Sequence, residues 1–332
     1  MEVERLKAFP VGKKEGKKFA FDMATEYLKE APVKIKYLGG GSFGRAYKVA
    51  KKDGESFVVK LLTADGMAKK DFFDLALIHD KLSVKSPRPY FVRLKDEKIP
   101  CDGYIMEYLE GKPLLFSLKY YFAPKKKRTL IGERIVDSLH ELHLVKNDKF
   151  GDAQNPMFDG WIDYYKPFAY RVLCQARKYA NAGELSKKIT LVMERAWDMF
   201  DKIFCEAPQT ACLIHGDLNV GNVLISKKGD IAFIDPLSSM FADVEYDLFQ
   251  FYNLTGRRFF LGKIYRRKYG ESSHIEDKLA FYALWNEVFC FIKSGVIIPL
   301  IMNPLVHNMK RRLKILSGQG NERSIKKKKQ KG

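Results

Sequence analysis

A chain of 332 residues, 46% of them hydrophobic and 13% aromatic, has the length and apolar content of an enzyme-sized globular protein with one large or two moderate domains. Its five cysteines, Cys101, Cys174, Cys205, Cys212 and Cys290, are odd in number and widely spaced, which excludes a disulfide framework and any Cys-x-x-Cys metal or redox pair. The net charge of +19 suits an anionic partner such as ATP, anionic lipid or nucleic acid, but five of those charges sit in one terminal run, Lys326 to Lys329 and Lys331.

Residues 321–332 are expected to form a disordered basic tail, and its lysines, with no interleaved aromatics, argue against a dedicated nucleic-acid or membrane anchor. At the other end, Met1-Glu2-Val3-Glu4-Arg5 places charges where a signal peptide needs its apolar region. Lys293 and Pro299 interrupt the most apolar stretch, Val288 to Met302. Neither export nor a membrane span is therefore expected, and a reducing cytoplasm fits.

Along the chain, Phe19, Met23 and Tyr27 at four-residue spacing predict a short amphipathic helix. Residues 34–49 alternate around Gly39-Gly40-Gly41-Ser42-Phe43-Gly44, and Asp53-Gly54 separates them from Ser56 to Leu62, which predicts an antiparallel hairpin sheet. Asp71 to Leu82 reads as a helix and Tyr104 to Leu109 as a strand ending at Gly111. Beyond it the pattern is mainly helical: Ile131, Ile135, Leu139 and Leu142 share one face, and Asp163 to Phe204 and Lys278 to Ile292 are long and aromatic-rich. The expected fold class is α+β, with a small antiparallel-sheet lobe over residues 1–109, including its helical extension, and a larger mainly helical lobe over residues 110–320.

The chemistry concentrates in a few places. Gly39-x-Gly41-x-x-Gly44 leads into a strand and hairpin rather than a helix, and no Lys-Ser/Thr pair follows, so it reads as a flap over phosphates and not as a dinucleotide or Walker loop. Lys60 ends an apolar strand sixteen positions after Gly44, where its ammonium could reach phosphates beneath the flap. Taken singly, these are an ordinary turn and a snorkelling edge lysine. Near the centre, Leu213-Ile-His-Gly-Asp217-Leu-Asn-Val-Gly-Asn222-Val-Leu-Ile225 sets one aspartate and one asparagine in a polar loop between apolar runs, and Ile234-Asp235-Pro236 supplies a further carboxylate. A carboxylate to accept a hydroxyl proton, with an amide oxygen and a second carboxylate to hold magnesium, is what phosphoryl transfer requires.

Together these segments, with Val59-Lys60, Met106-Glu107-Tyr108-Leu109 and Asp243-x-x-Tyr246-Asp247-Leu248, resemble the aminoglycoside phosphotransferase and choline kinase family over about residues 35 to 255. The resemblance implies a two-lobed, protein-kinase-like fold that uses ATP and Mg2+ to phosphorylate the hydroxyl of a small molecule. By match of position it implies Asp217 as catalytic base, Asn222 and Asp235 as metal ligands, Lys60 and Gly39 to Gly44 on the phosphates, and the backbone of Glu107, Tyr108 and Leu109 as the adenine hinge. Asn219 stands where the family more often has histidine, and Ala46 where kinases often keep valine. A lysine two residues after the catalytic aspartate, an Asp-Phe-Gly metal site and an Ala-Pro-Glu segment are lacking, and 215 − 107 = 108 residues separate Glu107 from His215, which argues against a protein kinase. A pseudokinase scaffold is the other alternative; a scaffold has no chemical need for Lys60, Asp217, Asn222 and Asp235 together.

Asp74 is the expected helix partner of Lys60, with Asp71 and Asp80 as rivals. His215 and Asp247 are expected to brace the catalytic loop. Acceptor-pocket candidates in the helical region include Asp163, Trp161, Tyr165, Glu194 and Trp197, then Trp285 and Glu287.

Overall fold

The computed structural model describes residues 4–6, 11–41, 43–62, 64–236 and 238–318. Ser42 of the glycine flap and the terminal lysine run lie outside the described residues. The described residues form two compact units: Leu6–Met157 with Thr210–Lys268, and Phe158–Gln209 with Glu4, Arg5 and residues 269–318.

In the first of these, α1 (Lys13–Leu28) precedes β1 (Lys34–Gly40), β2 (Gly44–Ala50) and β3 (Ser56–Leu62), followed by α2 (Met67–His79), β4 (Pro89–Arg93) and β5 (Asp102–Glu107). The five strands form one antiparallel sheet in the order β1-β2-β3-β5-β4. The centre of this sheet is covered on both faces, and β3 shows why. Phe57, Val59 and Leu61 pack with Phe19, Ala20 and Met23 of α1, while Val58 and Leu62 pack with Ala68 and Leu75 of α2. Side chains alternate between faces along a strand, so Lys60 falls on the α2 face, between Ala46 of β2 and Tyr104 of β5. A lysine reading as a snorkelling edge residue is thus a central, buried one.

The same unit carries two small antiparallel sheets that frame a polar loop. One joins Ile231–Phe233, Val223–Ile225 and Lys112–Pro113; the other joins Lys146–Asn147, Ala211–Ile214, Met240–Ala242 and Gly151–Asp152. Residues 215–222 run from the second to the first, and Asp235 follows Ile231–Phe233. Helix Lys125–His143 buries Ile131, Ile135, Leu139 and Leu142, the face expected from their spacing. The apolar runs bracketing the loop are the strands Ala211–Ile214 and Val223–Ile225, whereas the two-residue strands and β4 were not legible as separate elements, since two residues carry no periodicity and β4 opens on a proline.

The other unit is helical: Trp161–Asn181, Lys187–Trp197, Ile275–Ser294 and Pro299–Leu316. Its core is aromatic. Phe281 stacks on Trp285 at 3.7 Å, Trp161 on Tyr165 at 5.1 Å, and the Trp161 indole N–H donates to the Tyr282 hydroxyl at 2.8 Å. Trp161, Tyr165 and Trp285, considered as acceptor-pocket candidates, are at most 1% exposed, which makes them core residues. The last helix begins at Pro299, where a missing N–H costs nothing, so the proline that interrupts the apolar stretch starts a helix rather than merely breaking one. No helix among the described residues is long and apolar enough to cross a membrane.

Helix Lys125–His143 lies so near Phe259 that a Cβ at Gly132 would come within 2.1 Å of the Phe259 carbonyl oxygen and 2.9 Å of an Ile264 methyl. Gly132→Ala is expected to destabilise the protein by about 1–3 kcal/mol through that overlap, despite the better helix propensity of alanine. Chemical denaturation would show it as a lowered midpoint; an unchanged or raised midpoint would refute the close approach.

Candidate active site

The glycine flap is the β1–β2 connection. Gly40 pairs with Arg45 across it, and the Gly41 N–H donates to the Gly44 carbonyl at 3.2 Å. Gly40 and Gly44 are demanded by the protein itself, because a Cβ at either would sit within 2.6 Å of a carbonyl oxygen. At Gly39 and Gly41 a Cβ would meet nothing within 4 Å. The space beside them is open, so a neighbour outside the chain, such as a phosphate group, can approach the backbone there. Arg45, not singled out in the sequence, clamps the flap by donating to the carbonyls of Gly41 (2.6 Å) and Gly44 (3.0 Å).

Lys60 donates to Asp71 Oδ2 at 3.1 Å and to Asp235 Oδ1 at 3.0 Å. Burial alone would lower its pKa; the carboxylates of Asp235 and Asp71 override it and hold the ammonium well above its ordinary value. The expectation that Asp74 pairs with Lys60 is corrected: Asp71 does. Both lie on one face of α2, three residues apart, and the sequence shows the face but not how far along the helix axis the strand lysine falls. Asp74 is fully buried and takes other partners, Lys70 at 3.0 Å and the Ser239 N–H at 3.2 Å. Burial pushes its pKa up to about 7. Lys70 also pairs with Asp152 at 3.0 Å, so α2 is tied to both Gly151–Asp152 and the segment after Asp235.

Asp217 sits in the polar loop and accepts three amide N–H groups: Asn222 at 3.0 Å, Asn219 at 3.2 Å and Gln250 at 2.9 Å. Burial pushes its carboxyl up to about 7, the Asn219 and Asn222 bonds pull it down, and the nearby Asp235 and Asp247 carboxylates add to the rise. A carboxylate poised near neutral pH is suited to taking a proton. Gln250 was missed by sequence reasoning. It lies 33 residues downstream in a short 3-10 turn, Phe249–Tyr252, and only the pairing itself reveals it.

Below the loop, Asp247 accepts the backbone N–H groups of His215 at 2.8 Å and Gly216 at 2.7 Å, and His143 Nε2 lies 3.3 Å from it. Hydrogen bonds to a buried charge are worth about 1.5–3 kcal/mol each. Asp247 thus braces the loop as expected. His215 is fully buried, and burial lowers its pKa against the opposing pull of Asp247 and Asp235, so it is neutral and its Nδ1 accepts the Asp217 N–H at 3.4 Å.

Asp235 is one of few non-glycine residues with positive φ, at 55°. Such a conformation costs on the order of 1–3 kcal/mol and persists where surrounding structure enforces it. Here the Ile234 N–H donates to the Asn222 carbonyl at 3.0 Å and Lys60 holds the carboxylate, which keeps Asp235 beside Asn222. Asn222 spends its amide N–H on the carbonyl and carboxylate of Asp217, leaving its side-chain oxygen as an acceptor. One amide oxygen and one carboxylate are hard donors that fit magnesium, which takes few protein ligands and completes its shell with phosphate and water. Glu107 is fixed by Arg88 on both sides, its N–H donating to the Arg88 carbonyl at 2.8 Å and its carboxylate accepting the Arg88 N–H at 3.3 Å. Tyr108 follows with its ring under the Lys48 ammonium at 3.7 Å, and Leu109 is buried.

A family model described as the phosphotransferase enzyme family matches residues 34–282, well over half of the chain. A protein-ribulosamine 3-kinase of Arabidopsis thaliana, chloroplastic, is 24% identical over 219 residues, a match spanning 61% of this chain and 60% of that relative's length. Among solved structures, a Thermobifida fusca protein provisionally named a fructosamine-3-kinase superposes with a TM-score of 0.60 at 20% identity, covering 88% of this chain and 98% of that one. A thermostable mutant of aminoglycoside phosphotransferase APH(4)-Ia, in ternary complex with ADP and hygromycin B, gives a TM-score of 0.67 at 13% identity, with 89% and 97% covered. The fold is accordingly the protein-kinase-like α+β arrangement anticipated from the motifs, and the chain belongs to the phosphotransferase enzyme family.

Proposed function

We propose that this protein is an ATP- and magnesium-dependent small-molecule kinase that transfers the γ-phosphoryl group to a hydroxyl of an amine-bearing sugar. The observation that carries the reading is Asp217: a half-buried carboxylate, held by three side-chain amides, in the same unit as the Lys60, Asp71 and Asp235 ion pairs. The sugar-amine class is favoured over choline or an amino alcohol because the ribulosamine kinase relative, and the fructosamine and aminoglycoside proteins that share the fold, bear names of such substrates.

In this reading Asp217 accepts the proton of the acceptor hydroxyl as its oxygen bonds to phosphorus and ADP leaves. Asn219, Asn222 and Gln250 fix the direction of that carboxylate, so that little reorganisation is needed at the moment of transfer. Lys60, kept charged by Asp71 and Asp235, offers its ammonium to the nucleotide phosphates. Gly39 and Gly41 leave the flap backbone open to those phosphates, and the chain after β5, Glu107 to Leu109, borders the adenine. Asn222 and Asp235 would hold magnesium, which when bound neutralises charge on the phosphate oxygens. Residues 1–109 then act as the nucleotide-binding lobe and residues 110–320 as the acceptor-binding one, in the cytoplasm.

Asp217→Asn is expected to lower kcat by about 10²–10⁴-fold while nucleotide affinity changes little; normal turnover would remove the base assignment. Because the base must be ionised, kcat/KM should fall as pH drops through about 7. The same raised pKa has a stability sign. The folded state favours the protonated carboxyl, so this contribution is complete below the unfolded value of about 4 and is lost as pH rises through about 7. Wild type should therefore lose stability relative to Asp217→Asn across that window, and parallel melting-temperature profiles would contradict it.

The two α2 aspartates separate by a further pair of variants. Asp71→Ala should raise the Kd for the magnesium–ATP complex by roughly tenfold or more by freeing the Lys60 ammonium, since leaving one member of a buried pair unmatched costs several kcal/mol. Asp74→Ala should act first on thermal stability. Calorimetric titration showing equal affinity losses in both would overturn the assignment of Asp71 as the partner. Acceptor-dependent ADP release across a panel of ketosamines, aminoglycosides, sugars and choline tests the substrate class, and turnover confined to acceptors without an amine would exclude it.

A further inference from the structure

The kinase reading leaves one surface unexplained. Phe116, Leu118 and Phe122 are 69%, 70% and 66% exposed, and Leu254 is 83% exposed, a set of large apolar side chains that a soluble protein would ordinarily bury. Phe116, Leu118 and Phe122 follow one another along one segment, and Phe122 meets the helix that opens on Leu254. Arg258, at the end of helix Leu254–Arg258, donates to the Tyr121 carbonyl at 3.0 Å and lies 5.6 Å over the rings of both Tyr121 and Phe122. Arg128 in turn donates to the Arg258 carbonyl. The Tyr120 hydroxyl donates to the Lys227 carbonyl at 3.0 Å, which brings exposed Lys227 and Lys228 to the same place.

The rim of this surface is basic to an unusual degree. From Lys112 to Leu130 the chain carries Lys112, Lys119, Lys125, Lys126, Lys127 and Arg128 and no acidic residue, and from Leu248 to Gly270 it again has none. Helix Lys125–His143 opens on Lys125, Lys126, Lys127 and Arg128, with no acidic residue in its first turn. Cations are disfavoured there, because the N-terminal end of a helix is itself positive. Arg128 feels both burial and the neighbouring Arg258, which lower its pKa. Arg128 is held by the Ala123 and Arg258 carbonyls, and Lys125 and Lys127 lie over the Phe260 and Tyr120 rings, but all three lysines stay exposed at the unfavourable end of the helix, and a breach of a local rule points to a partner.

The chemistry selects the partner. A nucleic acid would use the cations and the aromatic rings, but exposed leucines at 118, 130 and 254 offer it neither stacking nor charge. A second copy across a two-fold axis would press the lysine runs against each other. An interfacial membrane surface uses every component: apolar side chains enter the boundary between headgroups and acyl chains, and lysines and arginines meet anionic headgroups. We propose that the edge formed by residues 116–130, Lys227, Lys228 and helix Leu254–Arg258 docks on an anionic phospholipid surface. The Leu115 N–H donates to the Val220 carbonyl at 3.2 Å, so the docked edge adjoins the loop that carries Asp217, and the catalytic loop would work close to the lipid surface.

Sedimentation of the full chain with vesicles of phosphatidylcholine, with and without phosphatidylglycerol, tests this. Binding is expected only with the anionic lipid and should weaken with salt. Each of Lys125→Glu, Lys126→Glu and Lys127→Glu should weaken it roughly fivefold. Phe116→Ser with Leu254→Ser should cost roughly tenfold or more without shifting the melting temperature, since both side chains are exposed. A chain trimmed of the Lys326 to Lys331 run should still bind. The proposal is overturned if no vesicle sediments the protein, if binding survives these substitutions, or if only trimming the tail abolishes it. It is likewise overturned if the same substitutions instead dissolve a dimer in the absence of vesicles, or release bound RNA from a protein that ignores lipid.

Discussion

The ion pairs of Lys60 with Asp71 and Asp235 are the constraint on which the rest of the site depends. They join a central strand, helix α2 and the segment following Ile231–Phe233, three elements brought together from sequence separations of 11 and 175 residues. A buried ammonium is costly unless matched, and breaking such a pair by removing one member costs about 3–5 kcal/mol. The arrangement therefore admits one relative placement of sheet, helix and metal-ligand candidate, and it holds Asp235 in a backbone conformation it would otherwise avoid.

A second set of polar contacts does the same for the loop that carries Asp217. Asp247 fixes its backbone from below, and the amides of Asn219, Asn222 and Gln250 fix the Asp217 carboxylate from its sides. Two carboxylates with opposite surroundings result. Asp235 is held by an ammonium and stays a candidate ligand, while Asp217, facing neutral amides, is drawn toward the proton affinity of a general base. Environment rather than residue type separates the roles. Lys70, bridging Asp74 and Asp152, ties α2 to Gly151–Asp152, and Asp74 ties it to Ser239.

Much of this was legible in the sequence because it is local. The flap, the loop from His215 to Asn222 and Asp235 each lie at an element boundary that apolar patterning and turn residues mark, and Lys60 stands out as the one charge within an apolar strand. Fold class followed from the hairpin signal at Asp53-Gly54 and the helical periodicity after residue 110. What patterning could not show was long-range registry. The choice of Asp71 over Asp74 depends on where α2 sits along β3, Gln250 reaches Asp217 across 33 residues, and Arg45 acts by folding back on its own turn. Trp161, Tyr165 and Trp285 lie in the core, the ordinary place for such aromatics, and composition alone does not distinguish a pocket from a core. The exposed apolar edge between Phe116 and Leu254 was invisible for the opposite reason: exposure is a property of the folded surface alone.

The account stands or falls on whether these groups converge on one nucleotide. The most direct measurement is a crystal structure of the protein with magnesium and a non-hydrolysable ATP analogue. The account predicts a metal ion bound by the Asn222 side-chain oxygen and Asp235, phosphates beneath Gly39 to Gly44 within reach of Lys60, and the γ-phosphate facing Asp217. Nucleotide bound elsewhere, or a metal that bypasses both Asn222 and Asp235, would contradict it.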